Sequence, residues 1–211
     1  MPKVESSETP KGRTTKGGWS EVLEKKKYND EVKNQEFIPN FFLGDGESAT
    51  IQFMEQEPYC FDAHQARNAK GKWRTVACQL AKQKYCLLCD DKIKLTWKAA
   101  FAVLDYRGTW DKDKKKFVGG KPVEKIWECS NSLALQIKGL IKPGKLLTDG
   151  VFEVSRSGSG AQDTSYNFSP AFDEEAETRL KPIKFKRTLP STEECCLPPT
   201  DAELERMGLT D

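Results

Sequence analysis

The spacing of one histidine and three cysteines is typical of a metal site. Thirteen residues separate His64 from Cys78, seven separate Cys78 from Cys86, and two separate Cys86 from Cys89. A C-x-x-C pair lets two thiolates bind one tetrahedral metal, and His64 with Cys78 would complete the four ligands. Because four protein ligands leave no open position for a reactant, we predict structural zinc bound by these four residues.

Cys60 is an alternative ligand. It lies four residues before His64 and shares a face with it if the strand is regular, so the sequence leaves both as candidates. The alternative to a metal site is an isolated C-x-x-C pair with a surface histidine. Cys129 is expected to be a small buried residue in a strand, and Cys195 and Cys196 receive no role.

Basic residues alternate with aromatic ones in the middle of the chain. Single-stranded nucleic acid is bound by cations that follow its phosphates and by flat rings on which its bases stack. We therefore predict contacts from a hairpin arm, from a loop after a central strand and from an arginine before a Ser-Gly-Ser-Gly segment, although that segment could equally be a plain turn. These residues are Lys70, Lys72, Trp73, Arg74, Tyr106, Arg107, Trp110, Lys112, Lys114, Lys115, Lys116 and Arg156.

The tryptophans permit a second interpretation, in which Trp73, Trp97 and Trp127 fill a core. We expect this for Trp97, which lies in an apolar strand. We expect exposure for Trp110, whose neighbours are Gly, Thr, Asp and Lys. We predict that bases stack on Trp73, Tyr106 and Trp110.

Charge is unevenly distributed, although the net charge of the chain is only +2. Residues 60–125 contain sixteen Lys or Arg and seven Asp or Glu, whereas residues 189–211 contain one Arg and six Asp or Glu. A basic centre beside an acidic tail favours a polyanion-binding body and a tail that repels or mimics the polyanion. The alternative is that these charges merely solvate different faces.

The signatures of common enzymes are incomplete in this sequence. Residues 139–145 match the start of a phosphate-binding loop, but Leu146 stands where a Mg-binding Ser or Thr is required. There is no G-x-S-x-G motif, and a metal at His64 would leave no other imidazole base, because the chain has one histidine. We expect that the protein is not an enzyme.

The elements that position these residues are predicted to be mainly strands. Ala49, Ile51 and Phe53 alternate with polar residues, as in a half-buried strand. An Asn-Ala-Lys-Gly turn after Arg67 predicts a hairpin. The further predicted strands are residues 59–67, 72–78, 94–106, 121–129, 151–156 and 165–169.

One helix is predicted between these strands. Its apolar stripe is Leu133, Ile137, Leu140 and Ile141, with a cap at Ser130 or Asn131 and a stop at Pro143-Gly144. Several strands, one helix and two strands is an order compatible with a five-stranded Greek-key OB barrel. We predict a mainly β OB-fold barrel with one core helix and a zinc-binding insertion.

The chain is predicted to have polar ends around this core. Residues 1–18 lack apolar periodicity and are expected to be disordered, and residues 19–36 are a possible short helix or linker. The core spans residues 37–170, with the zinc subdomain at about 59–92, and residues 171–211 are a charged acidic tail expected to have little order.

We expect no contact with a membrane. No apolar run approaches the roughly 20 residues that span a bilayer. The first residues also lack the apolar stretch of a secretory signal. The seven cysteines are therefore expected in a reducing compartment, where metal binding is favoured over disulfides.

The chain resembles the single-stranded-DNA-binding (helix-destabilising) proteins of tailed bacteriophages. The resemblance covers roughly residues 37–170 and rests on two features. One is the His64/Cys78/Cys86/Cys89 pattern between early strands. The other is the stretch formed by residues 146–150 (LLTDG), 154–160 (VSRSGSG) and 163–166 (DTSY).

This resemblance implies an OB-fold that coats single-stranded DNA with little sequence preference in phage replication, recombination and repair. It implies structural zinc at the four residues named above and a location in the cytoplasm of the infected bacterial host. The acidic C-terminus is similar to tails that recruit replication or recombination enzymes and compete with DNA. Residues 11–16 (KGRTTK) are similar in composition to a basic segment that drives self-association in some relatives.

Two other functions are compatible with the residues. One is a zinc-bearing adaptor of phage replication or transcription, which would act through protein contacts of its tail. The other is an RNA-binding OB module, because bases of RNA and DNA stack alike and no residue indicates contact with a 2′-hydroxyl.

Overall fold

The structure is a computed structural model that describes residues 38–111, 113–160, 163–170 and 182–210, without the side chains of Trp110 and Pro170. The predicted N-terminal segment (1–18) and the predicted helix or linker (19–36) lie outside the described residues. Lys112 lies outside them as well.

The described residues are mainly β, as the sequence predicted. Their strands are β1 (Ser48–Phe53), β2 (Tyr59–Arg67), β3 (Trp73–Ala77), β4 (Leu95–Asp105), β5 (Gly108–Asp111), β6 (Lys116–Gly119), β7 (Val123–Ser130), β8 (Val151–Ser157) and β9 (Ser165–Pro170). Their helices are α1 (Leu87–Asp90), α2 (Asn131–Lys138), α3 (Thr192–Cys195) and α4 (Asp201–Met207), with 3₁₀ turns at Gln79–Ala81 and Leu147–Asp149.

The long strand β4 organises an antiparallel sheet of seven strands. β2 and β1 share one of its edges, with Tyr59 opposite Ala100 and Phe53 opposite Val103. β7 pairs along the other edge of β4. The sheet continues from β2 to β3 and from β1 to β8 and β9, while β5 and β6 form a separate hairpin.

The predicted barrel is not closed in the described residues, since none of their strand pairs joins β7 to β9. These two strands nevertheless face each other across the core. The Trp127 ring of β7 lies 5.8 Å from the Tyr166 ring and 6.1 Å from the Phe168 ring of β9, centroid to centroid. Gln136 Nε2 of α2 also donates to the Tyr166 carbonyl at 2.7 Å. Side chains therefore fill the position where a ladder of backbone bonds would complete a barrel.

The main core lies between the curled sheet and α2. The Phe53 ring packs edge-on against the Phe101 and Phe152 rings. The predicted helix is confirmed but ends at Lys138, before Ile141, which is exposed. Its cap is Ser130, whose Oγ accepts from the backbone N–H of Leu133 at 3.3 Å.

The prediction that Trp97 fills the core is wrong. Trp97 is 40% exposed, although it lies on the central strand β4. β7 ends at Ser130, which pairs with Lys98, so β4 runs past its neighbour and Trp97 has no strand beside it on that edge. Trp127 and Cys129 of β7 are buried.

The expectation of little order beyond residue 170 is wrong for residues 182–210, which we call the C-terminal segment. Cys196 of this segment is buried in a cluster with Ala100, Ala102 and Ile126 of the main sheet. Leu204 of α4 is fully buried in a second cluster. Burial of these apolar side chains orders a segment that also carries five Asp or Glu and four Lys or Arg.

Buried carboxylates fix the start of the C-terminal segment. Glu124 Oε2 accepts from the backbone N–H and hydroxyl of Thr188 at 2.6 and 2.9 Å, and from the N–H of Leu189 at 3.0 Å. Arg187 forms an ion pair with Glu55. The segment is thus bonded to β7 and to the loop after β1.

Candidate metal centre and basic surfaces

The four predicted ligands come together at one end of β4. His64 lies on β2, opposite Leu95 of β4 and Val76 of β3. Cys78 directly follows β3, while Cys86 caps α1 and Cys89 lies within it. Their ligand atoms all lie within 4.8 Å of one another.

The distances within this group fit a single tetrahedral ion. With metal–sulfur bonds of about 2.3 Å and a metal–nitrogen bond of about 2.0 Å, tetrahedral ligands are about 3.8 Å apart for two sulfurs and about 3.5 Å for sulfur and nitrogen. Cys78 Sγ lies 3.7 Å from Cys89 Sγ. His64 Nε2 lies 3.5 Å from Cys86 Sγ and 3.4 Å from Cys89 Sγ. These three distances match a tetrahedral site, so the four residues lie close enough together to bind one metal ion.

The orientation of the histidine ring is set by its second nitrogen. His64 Nδ1 donates to the backbone carbonyl of Ile93 at 2.9 Å. That bond leaves the lone pair of Nε2 directed at the sulfurs, which is the tautomer a metal requires. Because His64 is fully buried, it exchanges no hydrogen bond with bulk water.

The thiols have unequal acidities. Burial raises the pKa of Cys86, but hydrogen bonds from the backbone N–H groups of Cys89 and Gln79 outweigh burial and lower it overall. Burial and the neighbouring Cys86 raise the pKa of Cys78, and burial and both neighbouring thiols raise the pKa of Cys89. Three sulfurs this close cannot all ionise without a compensating cation, which a bound metal would supply.

Cys60 does not belong to this group. It is exposed, and its Sγ contacts the carbonyl of Pro58. Four residues of extended strand place its Cα about 13 Å from that of His64, beyond the reach of a shared ion. The open choice between Cys60 and His64 is thereby resolved in favour of His64.

The predicted hairpin residues lie at the tip of β2 and β3. Lys70, Lys72 and Arg74 are exposed, and Trp73 is 64% exposed. The guanidinium carbon of Arg67 lies 4.8 Å from the centroid of the Trp73 ring. Trp73 is therefore a surface residue with one cation against it.

Strand register extends this surface along one face of the sheet. Arg67 lies opposite Trp73, and Phe61 lies opposite Lys98, so the alternation of side chains places all four on the same face. Tyr59 continues the row, with its ring 5.8 Å from that of Phe61 and nearly parallel to it. We call this set (Tyr59, Phe61, Arg67, Trp73 and Lys98) the aromatic face.

Sequence reasoning found only Trp73 in the aromatic face. The sequence contained the information needed to find Tyr59, Phe61 and Arg67. Their numbers are all odd, and residues at every second position of a strand lie on the same face. Lys98 and the pairing between β2 and β4 could not be inferred, since register between strands separated by a long insertion leaves no local trace.

A second predicted group lies at the opposite end of β4 and is bonded internally. Arg107 Nε and Nη2 donate to Asp105 at 3.0 and 2.8 Å, and Nη2 donates to the Phe42 carbonyl at 3.0 Å. Arg156 Nη1 donates to the Leu43 carbonyl at 2.6 Å. The Tyr106 hydroxyl donates to Gln52 at 3.0 Å. These contacts give the three predicted residues a role in holding neighbouring loops.

Exposed cations and rings surround this second group. Lys114, Lys115 and Lys116 are exposed in the β5–β6 hairpin, which pairs Trp110 with Phe117. Phe42, which the sequence analysis missed, is 65% exposed, with the Arg156 guanidinium 5.3 Å from its ring centroid.

The two predicted groups are well separated. Leu95 lies beside His64 and the β2–β3 hairpin, whereas Asp105 contacts Arg107. Ten steps along the extended strand β4 separate these ends by about 33 Å. The structure therefore brings the four metal ligands together but divides the predicted nucleic-acid residues between two surfaces.

No protein-family model matches this chain, and no curated protein is significantly similar to it. Within the described residues, every helix is too short or too polar to cross a membrane.

Proposed function

We propose that this chain is a non-enzymatic single-stranded DNA-binding protein whose fold is held by structural zinc. The observation that carries the proposal is the aromatic face, in which exposed Trp73 and two cations lie on adjacent strands beside the half-buried rings of Tyr59 and Phe61. Rings that stack bases beside cations that neutralise phosphates are what sequence-independent binding of a single strand requires.

The strand order supports an OB-type core. The order β7–β4–β1–β8–β9, with α2 between β7 and β8, follows the chain path of an OB barrel when β1 and β2 count as one bent strand. OB folds bind oligonucleotides across their second and third strands and the adjoining loops. Four residues of the aromatic face lie on β2 and β4, the equivalents of the first two strands, and Trp73 lies on β3, within the insertion that carries the candidate metal ligands.

Zinc is the metal that the ligands favour. Three thiolates and one imidazole form a closed tetrahedral set, which is the usual composition of a structural zinc site. In this proposal the ion joins β2, β3 and α1 and so fixes the hairpin that carries Trp73.

The resemblance to phage single-stranded-DNA-binding proteins extends the proposal to replication, recombination and repair in the host cytoplasm. The partners would be single-stranded DNA, other copies along the strand, and replication proteins that contact the acidic C-terminal segment. α3 packs beside Tyr59. Burial raises the pKa of the Tyr59 phenol, and the negative charge of Glu193 raises it further. Its negative charge thus lies at one end of the aromatic face.

The decisive experiment is a tryptophan-fluorescence titration with oligo(dT), oligo(U) and a duplex at two salt concentrations. We expect quenching by oligo(dT) and weaker binding at higher salt. Trp73→Ala should weaken binding about 5- to 150-fold, which corresponds to one stack of about 1–3 kcal/mol. Trp97→Ala is the matched control, because Trp97 is also partly exposed but lies on the opposite face of β4.

Each outcome separates the candidate functions. Equal losses in Trp73→Ala and Trp97→Ala would contradict the aromatic face as the binding surface. Preference for oligo(U) would indicate an RNA-binding module. Failure of the parent protein to bind any of the three nucleic acids would favour the adaptor.

A further inference from the structure

A groove separates the β2–β3 hairpin from α4. Its volume is about 660 Å³, and its walls include Lys70, Lys72 and Arg74 of the hairpin and Arg206 of α4. The residues that line it include these four cations and no carboxylate. The groove is therefore a basic surface to which α4 contributes the positive charge of Arg206.

The wall formed by α4 is fixed in place. The backbone N–H of Ala69 donates to the Gly208 carbonyl at 2.9 Å, which joins the hairpin to the end of the helix. Gly208 has a φ of +67°, and a Cβ there would lie 3.3 Å from the Cβ of Ala69, so glycine permits this close approach. One turn earlier, Leu204 is fully buried.

Two carboxylates of α4 form bonds to neighbouring groups, and one of them also pairs with Arg206. Asp201 accepts from the Tyr85 hydroxyl and from Gln79 Nε2, both at 2.6 Å. Glu203 accepts from the backbone N–H of Thr200 at 2.8 Å in a capping box, and its other oxygen lies 3.7 Å from Arg206 Nη2, so a phosphate that contacts Arg206 competes with this ion pair. Arg206 Nε donates to the Ala202 carbonyl at 3.1 Å, which holds the guanidinium against its own helix at the groove wall.

The groove and the aromatic face meet at the same hairpin. Trp73 lies between Lys72 and Arg74, and the alternation along β3 turns Arg74 away from the face that carries Trp73. A strand whose base stacks on Trp73 thus has cations available on the other side of the hairpin.

We propose that this groove binds phosphates of the nucleic-acid strand, so that α4 is part of the binding surface. The proposal rests on the proposed function and names the role of one element within it. It differs from a tail that only competes with DNA, because removing the positive charge of α4 should weaken binding.

The test is the salt dependence of oligo(dT) binding by the full chain and by Arg206→Ala. Each phosphate contact on a single strand makes the slope of log K against log salt more negative by about 0.7. Loss of one contact should reduce the magnitude of the slope by about 0.7 and weaken binding about eightfold at 0.05 M salt, with the two proteins converging near 1 M. Arg206→Lys should keep most of the slope.

Glu205→Gln is the matched control, because it changes the charge of the neighbouring exposed position by one unit. It should leave the slope unchanged. Thermal melting of each variant checks that α4 remains docked. An unchanged slope in a folded Arg206→Ala would overturn this inference alone, whereas failure of the parent to bind oligo(dT) would overturn it together with the proposed function.

Discussion

Asp105 is a buried charge at the end of β4 that lies farther from the candidate metal ligands. It is fully buried, and its carboxylate accepts from Lys125 Nζ at 2.7 Å and from Arg107 Nη2 at 2.8 Å. Burial would raise the pKa of this carboxyl, but the bonds from Arg107 and Lys125 outweigh burial and hold the pKa below its ordinary value of 3.8. Lys125 itself is also buried, so each charge depends on the other.

Asp105→Asn should lower the free energy of unfolding by about 3–5 kcal/mol at pH 7, because it removes the counter-charge of buried Lys125 and leaves Arg107 with Glu47 alone, at 3.7 Å. Since the folded-state pKa is lowered, the contribution of the carboxylate is complete above about pH 4 and is lost as pH falls through the folded value. The difference between parent and variant should therefore shrink at pH 3. Urea unfolding at both pH values measures it, with the exposed Asp113→Asn as control. A difference that does not change with pH would contradict this account.

At this scale the sequence predicted the cluster of four residues that could bind a metal, but not the ion-pair network. The ligands fall within 26 residues and carry their own spacing rule, so His64 and its partners could be identified directly. The β4–β7 register places Lys125 opposite Val103, diagonal to Asp105, and Arg107 gave no sign that its charge was already neutralised. For this reason Arg107 was predicted to contact nucleic acid.

Helix α4 is the element whose role differs most from expectation. Its composition suggested a solvated acidic tail, yet Leu204 packs with Ala66, Val76 and the metal-ligand cysteines, and Leu209 packs beside them. The capping box of Thr200 and Glu203 is a pattern in the sequence that predicts the start of this helix. Ser191 and Glu194 form the same box at α3. Two capping boxes, each followed by apolar residues, indicate order more strongly than the acidic composition indicates disorder.

Leu204→Ala should lower the free energy of unfolding by about 2–5 kcal/mol, since it leaves a cavity beside the metal ligands. It should also speed the removal of bound metal by a chromophoric chelator, because water reaches the thiolates more easily. Met207→Ala on the same helix is the control, as Met207 is largely exposed and should cost less than about 1 kcal/mol. Equal stability of the parent and Leu204→Ala would show that α4 does not dock in solution.

The positions of the strands were predicted better than the closure of the barrel. The period-two pattern of β1 and the hairpin turn between β2 and β3 are local properties, and the structure has strands at each of them. Whether β7 pairs with β9 depends on contacts between distant segments, which local patterns do not report. The overhang of β4 that exposes Trp97 has the same origin.

In the whole molecule, the metal site and the C-terminal segment depend on each other. The site joins β2, β3 and α1, and α4 covers the cluster that these elements form. Because a structural metal contributes its binding free energy to folding, its loss should loosen α4 as well as the hairpin.

Chelation should lower the melting temperature by about 10 °C and open the bond after Arg206 to trypsin. Cys86→Ser should reproduce both effects without chelator, whereas Cys60→Ser should retain one metal ion per chain, as counted by native mass spectrometry. Cys60 is a suitable control because it is exposed and outside the ligand group. Full metal content in Cys86→Ser would contradict the assigned ligands.

The burial of Leu204 among the cysteines also sets an order of events during synthesis. Cys89 leaves the ribosome 115 residues before Leu204 does. At about 5–20 residues per second, that gap lasts roughly 6–23 seconds. Throughout this interval the thiols exist without the side chain that later covers them. A cell that makes this chain must keep these thiols reduced, or supply the metal, before Leu204 packs against them.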